Sequence, residues 1–446
     1  MAFIITRRSL LAASTAGMAA TAIGDAGAQI TAREATPPNL PIESGASLSM
    51  LRPVRFVPAD EEVWRANCAR FTQKTGVPVK VDFVGWEDIS QQTAVTANTG
   101  AGPDLIVGFD EAPHIYVDKL VELTDVAEYL DKRYGPWLAM AKRYGQSSKG
   151  TNWIGLPFGS TGGPLVWRKS ALQQVGYDAP PDDLGKFLDL AKKLKAAGKP
   201  MGFALGNAVG DGNGFASWMV WAHGAWLVNE DGSVGINTPQ AIEAMTYLRD
   251  LYPSFIPGTT AWNDVSNNRA YTSQELWLTQ NGVSLYFSLK NSDDAAIRAI
   301  ADDTYITLLP KGKANSTPNA GLTMNAMVFK HSRYPNAAKA LLTFLFESEQ
   351  YDPWLQACVG YWSQPLEAYS KSPVWESDPK IGVFRNTMRS EFWNGYKGPI
   401  SEASASASKD YVLVQMCAAA ATGQSTPEQA VREAARRAER YFRRRG

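Results

Sequence analysis

The chain has 446 residues, with 44 basic and 44 acidic side chains, a formal net charge of 0 and 45% hydrophobic residues. That length exceeds what one ordinary core organises and suits two lobes. The even charge balance gives no reason to expect nucleic acid or an anionic membrane as a partner.

Residues 1–28 read as an export signal. Arg7 and Arg8 supply the positive start, Leu10 to Ile23 a mild apolar run rich in Ala, Ser, Thr and Gly, and Ala26-Gly27-Ala28 a small-x-small cleavage site. This is the twin-arginine pattern, which carries proteins across a membrane already folded. The run is too short and too weakly apolar to span a bilayer of about 30 Å, and no later segment reaches the roughly 18 uninterrupted apolar residues of a membrane helix. A lipid anchor is not expected, because the first cysteine is Cys68. The mature chain is therefore expected to begin near Gln29, after cleavage near Ala28, and to work in the periplasm.

Residues 29–49 mix Pro, Ser, Thr and charge without periodicity and read as a flexible leader. Order is expected from about Leu51. "LRPVRFVPAD" reads as a strand, and "EEVWRANCARFTQKTG" spaces Val63, Trp64, Cys68 and Phe71 as a helix that Gly76 stops. "VPVKVDFVGW" is a second strand ending at Trp86, "EDISQQTAVTANTG" a helix stopped by Gly100, and "DLIVGF" a short buried strand. This β-α-β-α-β order argues for a largely parallel α/β sheet, whose ligands sit at the carboxyl ends of the strands. Trp86 falls at the end of the second strand, and Asp110 with Glu111 at the end of the third. Neighbours on an extended strand point to opposite faces, so only one of those carboxylates, Asp110 by preference, is expected at a ligand. The same geometry counts against a glycosidase acid pair.

Further on, "PDDLGKFLDLAKKLKAAG" and "PQAIEAMTYLRDLYP" read as amphipathic helices. "GNAVGDGNGFASWMVWAHGAW" reads as a glycine-rich loop followed by a helix carrying Trp218, Trp221 and Trp226. Its "DGNG" (Asp211 to Gly214) lacks the spaced acids of an EF-hand and reads as a tight turn. "STPEQAVREAARRAERYFRRRG" opens with a capping box, Thr426 and Gln429 around Pro427, and its interspersed Glu433 and Glu439 make a solvated face of its arginines.

Three cysteines (Cys68, Cys358, Cys417) and three histidines (His114, His223, His331) are scattered without metal-ligand or redox spacing. One disulfide is possible in an oxidising compartment, with no pairing readable. Rossmann, haem, iron-sulfur, P-loop and G-x-S-x-G signatures are all missing, so neither a cofactor nor a metal is expected.

Four stretches in register resemble the family 1 extracellular solute-binding proteins, the periplasmic receptors of ATP-driven importers for sugars and related solutes. They are "GPDLIVGFD" (Gly102 to Asp110), "IGLPFGSTGGPLVWRKSAL" (Ile154 to Leu172), "YPNAAKALLTFLFESEQ" followed by "GYWSQP", and "TPEQAVREAA". The resemblance implies an α/β, two-lobed periplasmic-binding-protein fold, with discontinuous lobes joined by hinge crossings. Lobe 1 would take residues 50–163 and 304–330, and lobe 2 residues 164–303 and 331–446. It implies a monomeric receptor, not an enzyme, that captures a sugar, oligosaccharide or polyol by lobe closure and delivers it to an inner-membrane ABC permease.

A sugar site needs carboxylates and amides for its hydroxyls and aromatic rings for its C–H face, and 14 Trp, 17 Tyr and 17 Phe can supply the rings. By resemblance, Phe158, Ser160 and Thr161 are hinge-side contacts, with Gly159, Gly162 and Gly163 allowing unusual backbone angles there. Asn207 and Trp218 would face the ligand. Phe287 would stack from a strand within "NGVSLYFSLKNSD", and Tyr361 and Trp362 would line the second lobe's face. With Trp86 and Asp110, these form the expected site. Two alternatives stand beside it: an amine or other non-sugar solute held in an aromatic box with Asp110, or a secreted enzyme.

Overall fold

The computed structural model describes residues 30–148, 150–314, 318–389 and 392–443. The export signal expected over residues 1–28 lies outside them. Among the described residues, no helix is long and apolar enough to cross a membrane.

Among the described residues, eight strands form two sheets. β1 (Leu48–Pro53), β2 (Val79–Val84), β3 (Leu105–Phe109), β4 (Leu156–Gly162) and β8 (Gly321–Val328) build a five-stranded sheet in the order β2-β1-β3-β8-β4. β5 (Leu165–Arg168), β6 (Leu278–Gln280) and β7 (Thr304–Thr307) build a smaller one in the order β6-β5-β7. Each sheet anchors one lobe.

The expected β-α-β-α-β opening is present. β1 pairs in parallel with β2 and β3, and the helices Pro58–Thr75 and Ile89–Thr99 connect them. Both helices end where predicted, at Gly76 (φ 76°) and Gly100 (φ 63°), in the left-handed region that glycine enters without a Cβ penalty. β3 is buried at all five positions, as a strand covered on both faces must be. This topology delivers the carboxyl ends of three parallel strands, and the residues just beyond them, to one sheet edge. β8 then runs antiparallel between β3 and β4.

The first lobe is clamped by one buried ion pair. Arg52 of β1 meets Asp60 of the following helix through two N–H donors at 3.0 and 2.9 Å, with side chains 1% and 3% exposed. Trp354 Nε1 donates to Asp60 Oδ1 at 2.7 Å and Trp362 Nε1 to Oδ2 at 3.2 Å. The guanidinium also lies 4.3 Å from the Trp64 ring centroid.

Several expectations are corrected. The leader is not free: Ile30 is buried, Arg33 N–H bonds Arg133 O at 2.9 Å, and β1 already starts at Leu48. Glu43 accepts the N–H groups of Asn336 and Ala337 at 2.8 and 3.0 Å, capping the helix Pro335–Phe346. Its polar composition hid a structural role that only partners about one hundred to three hundred residues away reveal. β7, expected in lobe 1, is hydrogen-bonded to β5 in the second sheet. The helices Pro335–Phe346 and Ser348–Ala357, expected in lobe 2, pack on the helix Pro58–Thr75 of the first. The strand expected around Phe287 is a helix, Val283–Lys290, buried on nearly every side, so apolar spacing could not tell the two forms apart. "DGNG" is the first turn of the helix Asp211–Ala222, not a free turn. The C-terminal helix Pro427–Phe442 carries its capping box as read. The three cysteines are buried and unbonded to one another.

The chain passes between lobes at Gly163-Pro164, from β4 to β5, and again between β7 and β8. A Cβ on Gly163 would lie 2.2 Å from Gln280 Nε2, so the first crossing is packed directly on the second lobe's sheet.

Replacing Asp60 by Asn leaves the Arg52 charge buried without its counterion. We expect a loss of about 3 kcal/mol in urea unfolding; a loss under 1 kcal/mol would show that the pair does not clamp the lobe.

Candidate functional site

Phe56, Trp86 and Asp110 follow β1, β2 and β3, so the parallel sheet brings them to one edge. Facing them, the start of the helix Asp211–Ala222 and the segment running from β6 into the helix Val283–Lys290 present the second lobe. Between these faces lies an inner chamber of about 590 Å³ free of protein atoms, mouth included. The centre of a water-sized sphere reaches about 50 Å³ of it. An outer chamber, about 380 Å³ by the latter measure, shares Asp110, Asn213 and Asn394 with the inner one and adds Glu87, Glu111 and Lys409.

The first lobe's wall is aromatic. Phe56 meets Trp86 edge-on at 4.7 Å between centroids and stacks on Tyr361 at 6.0 Å. Trp86 Nε1 donates to Val54 O at 2.8 Å, which fixes the indole plane, and the residue lines the chamber.

Asp110 closes this wall. Its φ of 45° is left-handed, a conformation Asp tolerates better than most residues. Its Oδ1 accepts Thr323 N–H at 2.7 Å, while Asn394 Nδ2 donates to Asp110 Oδ2 at 3.3 Å and to Glu111 Oε2 at 3.0 Å. The rule that neighbours on a strand diverge fails here, because β3 ends at Phe109 and the backbone turns at Asp110. Both carboxylates converge on one amide, although Asp110 alone lines the inner chamber.

The second lobe contributes two more acids. Asp264 accepts the N–H groups of Val209, Gly210 and Asp211 at 2.7, 2.9 and 2.8 Å and so occupies the N-terminal end of the helix that Asp211 begins. Asp211 Oδ2 accepts Asn267 Nδ2 at 2.7 Å. Burial holds Asp110 well above the usual carboxylate range, with the Glu111 charge adding to it, and pushes Glu111 up to about 7. Burial likewise raises Asp211, reinforced by Asp264, and raises Asp264 itself. Among the described residues, no Lys, Arg or His lines the inner chamber.

Of the ten residues expected from sequence, Trp86, Asp110, Thr161 and Tyr361 line this chamber. The other six stand elsewhere. Phe158 falls at the register shift between β4 and β8, and its ring packs 4.2 Å from Phe346 in the first core. Ser160 bonds Ser363 through its backbone, on the face of β4 opposite Thr161. Trp362 points back to Asp60 and stands on the first lobe, as does Tyr361. Trp218 is fully buried in the second core and donates to Pro310 O at 2.8 Å. Asn207 is exposed, and Phe287 packs against Tyr286. Sequence reasoning missed Phe56, Asp211, Asp264, Gln280 and Asn394. Only Asp211 carried a signal, the "DGNG" read as a turn.

A carboxyl raised above its unfolded pKa holds its proton preferentially in the folded state. For Glu111 that stabilisation is complete below about 4.5 and lost as pH climbs through about 7. The ligand-free protein is expected to melt lower at pH 8 than at pH 6, and Glu111→Gln to remove about 1 kcal/mol of that difference. An identical pH dependence in the variant would contradict this assignment.

Comparison with known proteins places this geometry. The chain superposes on the maltose-bound MalE3 of T. maritima with a TM-score of 0.75 at 20% identity, over 89% of this chain and 99% of that one. It superposes on an ABC transporter solute-binding protein from Agrobacterium radiobacter K84 in complex with ribitol with a TM-score of 0.71 at 17% identity, over 89% and 98%. A lactose-binding protein of Rhizobium radiobacter is 30% identical over 149 residues, 32% of this chain and 34% of that one. The structural likenesses establish the two-lobed fold. Residues 66–383, well over half of the chain, match the family described as bacterial extracellular solute-binding protein; the chain belongs to that family.

Proposed function

We propose that the protein is the periplasmic receptor of an ABC importer, capturing a compact sugar or polyol between its lobes and delivering it to the inner-membrane permease. The observation that carries this reading is the pairing of an aromatic wall on one lobe with hydrogen-bonding carboxylates and amides on the other, across the chamber between them. Rings of Trp86, Phe56 and Tyr361 suit the C–H face of a sugar, and carboxylates suit its hydroxyls. The relatives that bind maltose, ribitol and lactose support the same class.

Closure supplies the mechanism. Contacts from both lobes exist together only in the closed state, so the solute shifts the population toward it in proportion to its preference for that state. No reaction is required of any residue. The inner chamber offers only about 50 Å³ to the centre of a water-sized sphere, which favours one ring or a short polyol over a long oligosaccharide. The N-terminus of the helix Asp211–Ala222, a natural anion site, is filled by Asp264. That disfavours sugar phosphates.

A thermal-shift panel of monosaccharides, disaccharides, polyols and sugar phosphates tests the reading. At 100 times its dissociation constant, a ligand stabilises by about 2.7 kcal/mol, a rise of roughly 5 °C or more. Selective shifts by neutral or amino-bearing polyhydroxy solutes are expected; shifts by sugar phosphates alone, or none at all, would contradict it. Trp86→Leu keeps apolar bulk but removes the stacking face and is expected to weaken the best ligand roughly 3- to 10-fold. Unchanged affinity would remove Trp86 from the site.

A further inference from the structure

The inner chamber is one-sided in two respects. The first is charge: Asp110 from one lobe and Asp211 and Asp264 from the other line it, with no cationic side chain among its described lining residues. The buried Arg52–Asp60 pair shows what this chain does elsewhere, where a buried carboxylate is given its counterion within 3 Å. Unpaired acids in a low-dielectric space cost free energy that a counterion would recover.

The second is hydrogen-bonding capacity. Gln280, 3% exposed, lines the chamber, and its Oε1 has no hydrogen-bond partner. Asp211 Oδ2 is taken by Asn267, and Asp264 by three backbone N–H groups, leaving Asp211 Oδ1 among the open acceptors. Several nitrogen donors are already engaged: Trp86 Nε1 on Val54 O, Asn213 Nδ2 on Val209 O at 3.1 Å, and Asn394 Nδ2 on the two acids. Acids without a cation, beside a carboxamide oxygen without a partner, favour a ligand that brings donors and positive charge. An ammonium group brings three donors, no acceptor and a positive charge. The aromatic wall adds a cation–π surface for the same group.

We infer that the solute held between the lobes carries a protonated amine on a compact polyhydroxylated body, as an amino sugar or amino polyol does, with the ammonium between Asp211, Asp110 and the Gln280 carboxamide oxygen. This rests on the receptor reading above and narrows it.

Matched solutes separate the two claims. Calorimetric titrations of the full chain at pH 7 would compare D-glucose, D-glucosamine and N-acetyl-D-glucosamine, and D-sorbitol with N-methyl-D-glucamine. Acetylation keeps the body and removes the charge. The inference expects at least one amine to bind ten times or more tighter than its neutral counterparts. It also expects Asp211→Asn, with its melting midpoint checked, to reduce that preference at least tenfold. Neutral members binding as tightly as the amines, or Asp211→Asn weakening both equally, would overturn the inference and leave the receptor reading standing. Silence in these pairs, with a shift by some other neutral sugar, would do the same. Silence toward every sugar, polyol and amine would overturn the receptor reading itself, and this inference with it.

Discussion

A single carboxylate organises the first lobe. Asp60 accepts four hydrogen bonds, two from Arg52 and one each from Trp354 and Trp362. Through them it ties the first strand, the first helix, the helix Ser348–Ala357 and the loop that carries Tyr361 to one buried point. A buried ion pair is weak as a source of stability when compared with an apolar replacement, but breaking it from one side is costly. Its use here is geometric. Because Trp362 is held back by Asp60, the next ring along, Tyr361, faces the chamber and completes the wall begun by Phe56 and Trp86.

The cleft is built on the opposite electrostatic rule. There the acids converge without cations, held by backbone N–H groups and amides: Asp110 by Thr323 and Asn394, Asp264 by the start of a helix, Asp211 by Asn267. Such neutral donors fix orientation without cancelling charge, and burial raises all these acids toward protonation. A site of this kind responds to what enters it. A donor-rich solute satisfies acceptors that the protein leaves open, and it can do so from both lobes only when they are closed.

Much of the framework was legible in the sequence. The alternation of strand and helix through Phe109, the glycines that end the first two helices and the capping box at Thr426 are local signals, and local signals survive in a sequence. Trp86 and Asp110 could be placed at the cleft because parallel topology fixes where strands end. The second lobe's contribution could not. Asp211, Asp264 and Gln280 lie in unrelated segments brought together by packing, and nothing within a few residues of Asp264 marks it as the cap of a helix fifty residues earlier. The aromatic residues failed for a related reason. Phe158 and Trp218 share the cleft aromatics' chemistry, but a register shift turns one into a core and a helix face commits the other to the second core. The leader and β7 show the same limit, since each takes its place from a distant partner and not from its own composition.

The central claim is that a solute is held by both lobes at once. The most direct measurement is a crystal structure of the protein with the solute that stabilises it most. The account predicts that solute in the inner chamber, covered by Trp86 or Tyr361 on one side and hydrogen-bonded to Asp211 or Gln280 on the other. A solute contacting one lobe alone, or lying outside the chamber while the chamber stays filled with water, would contradict it.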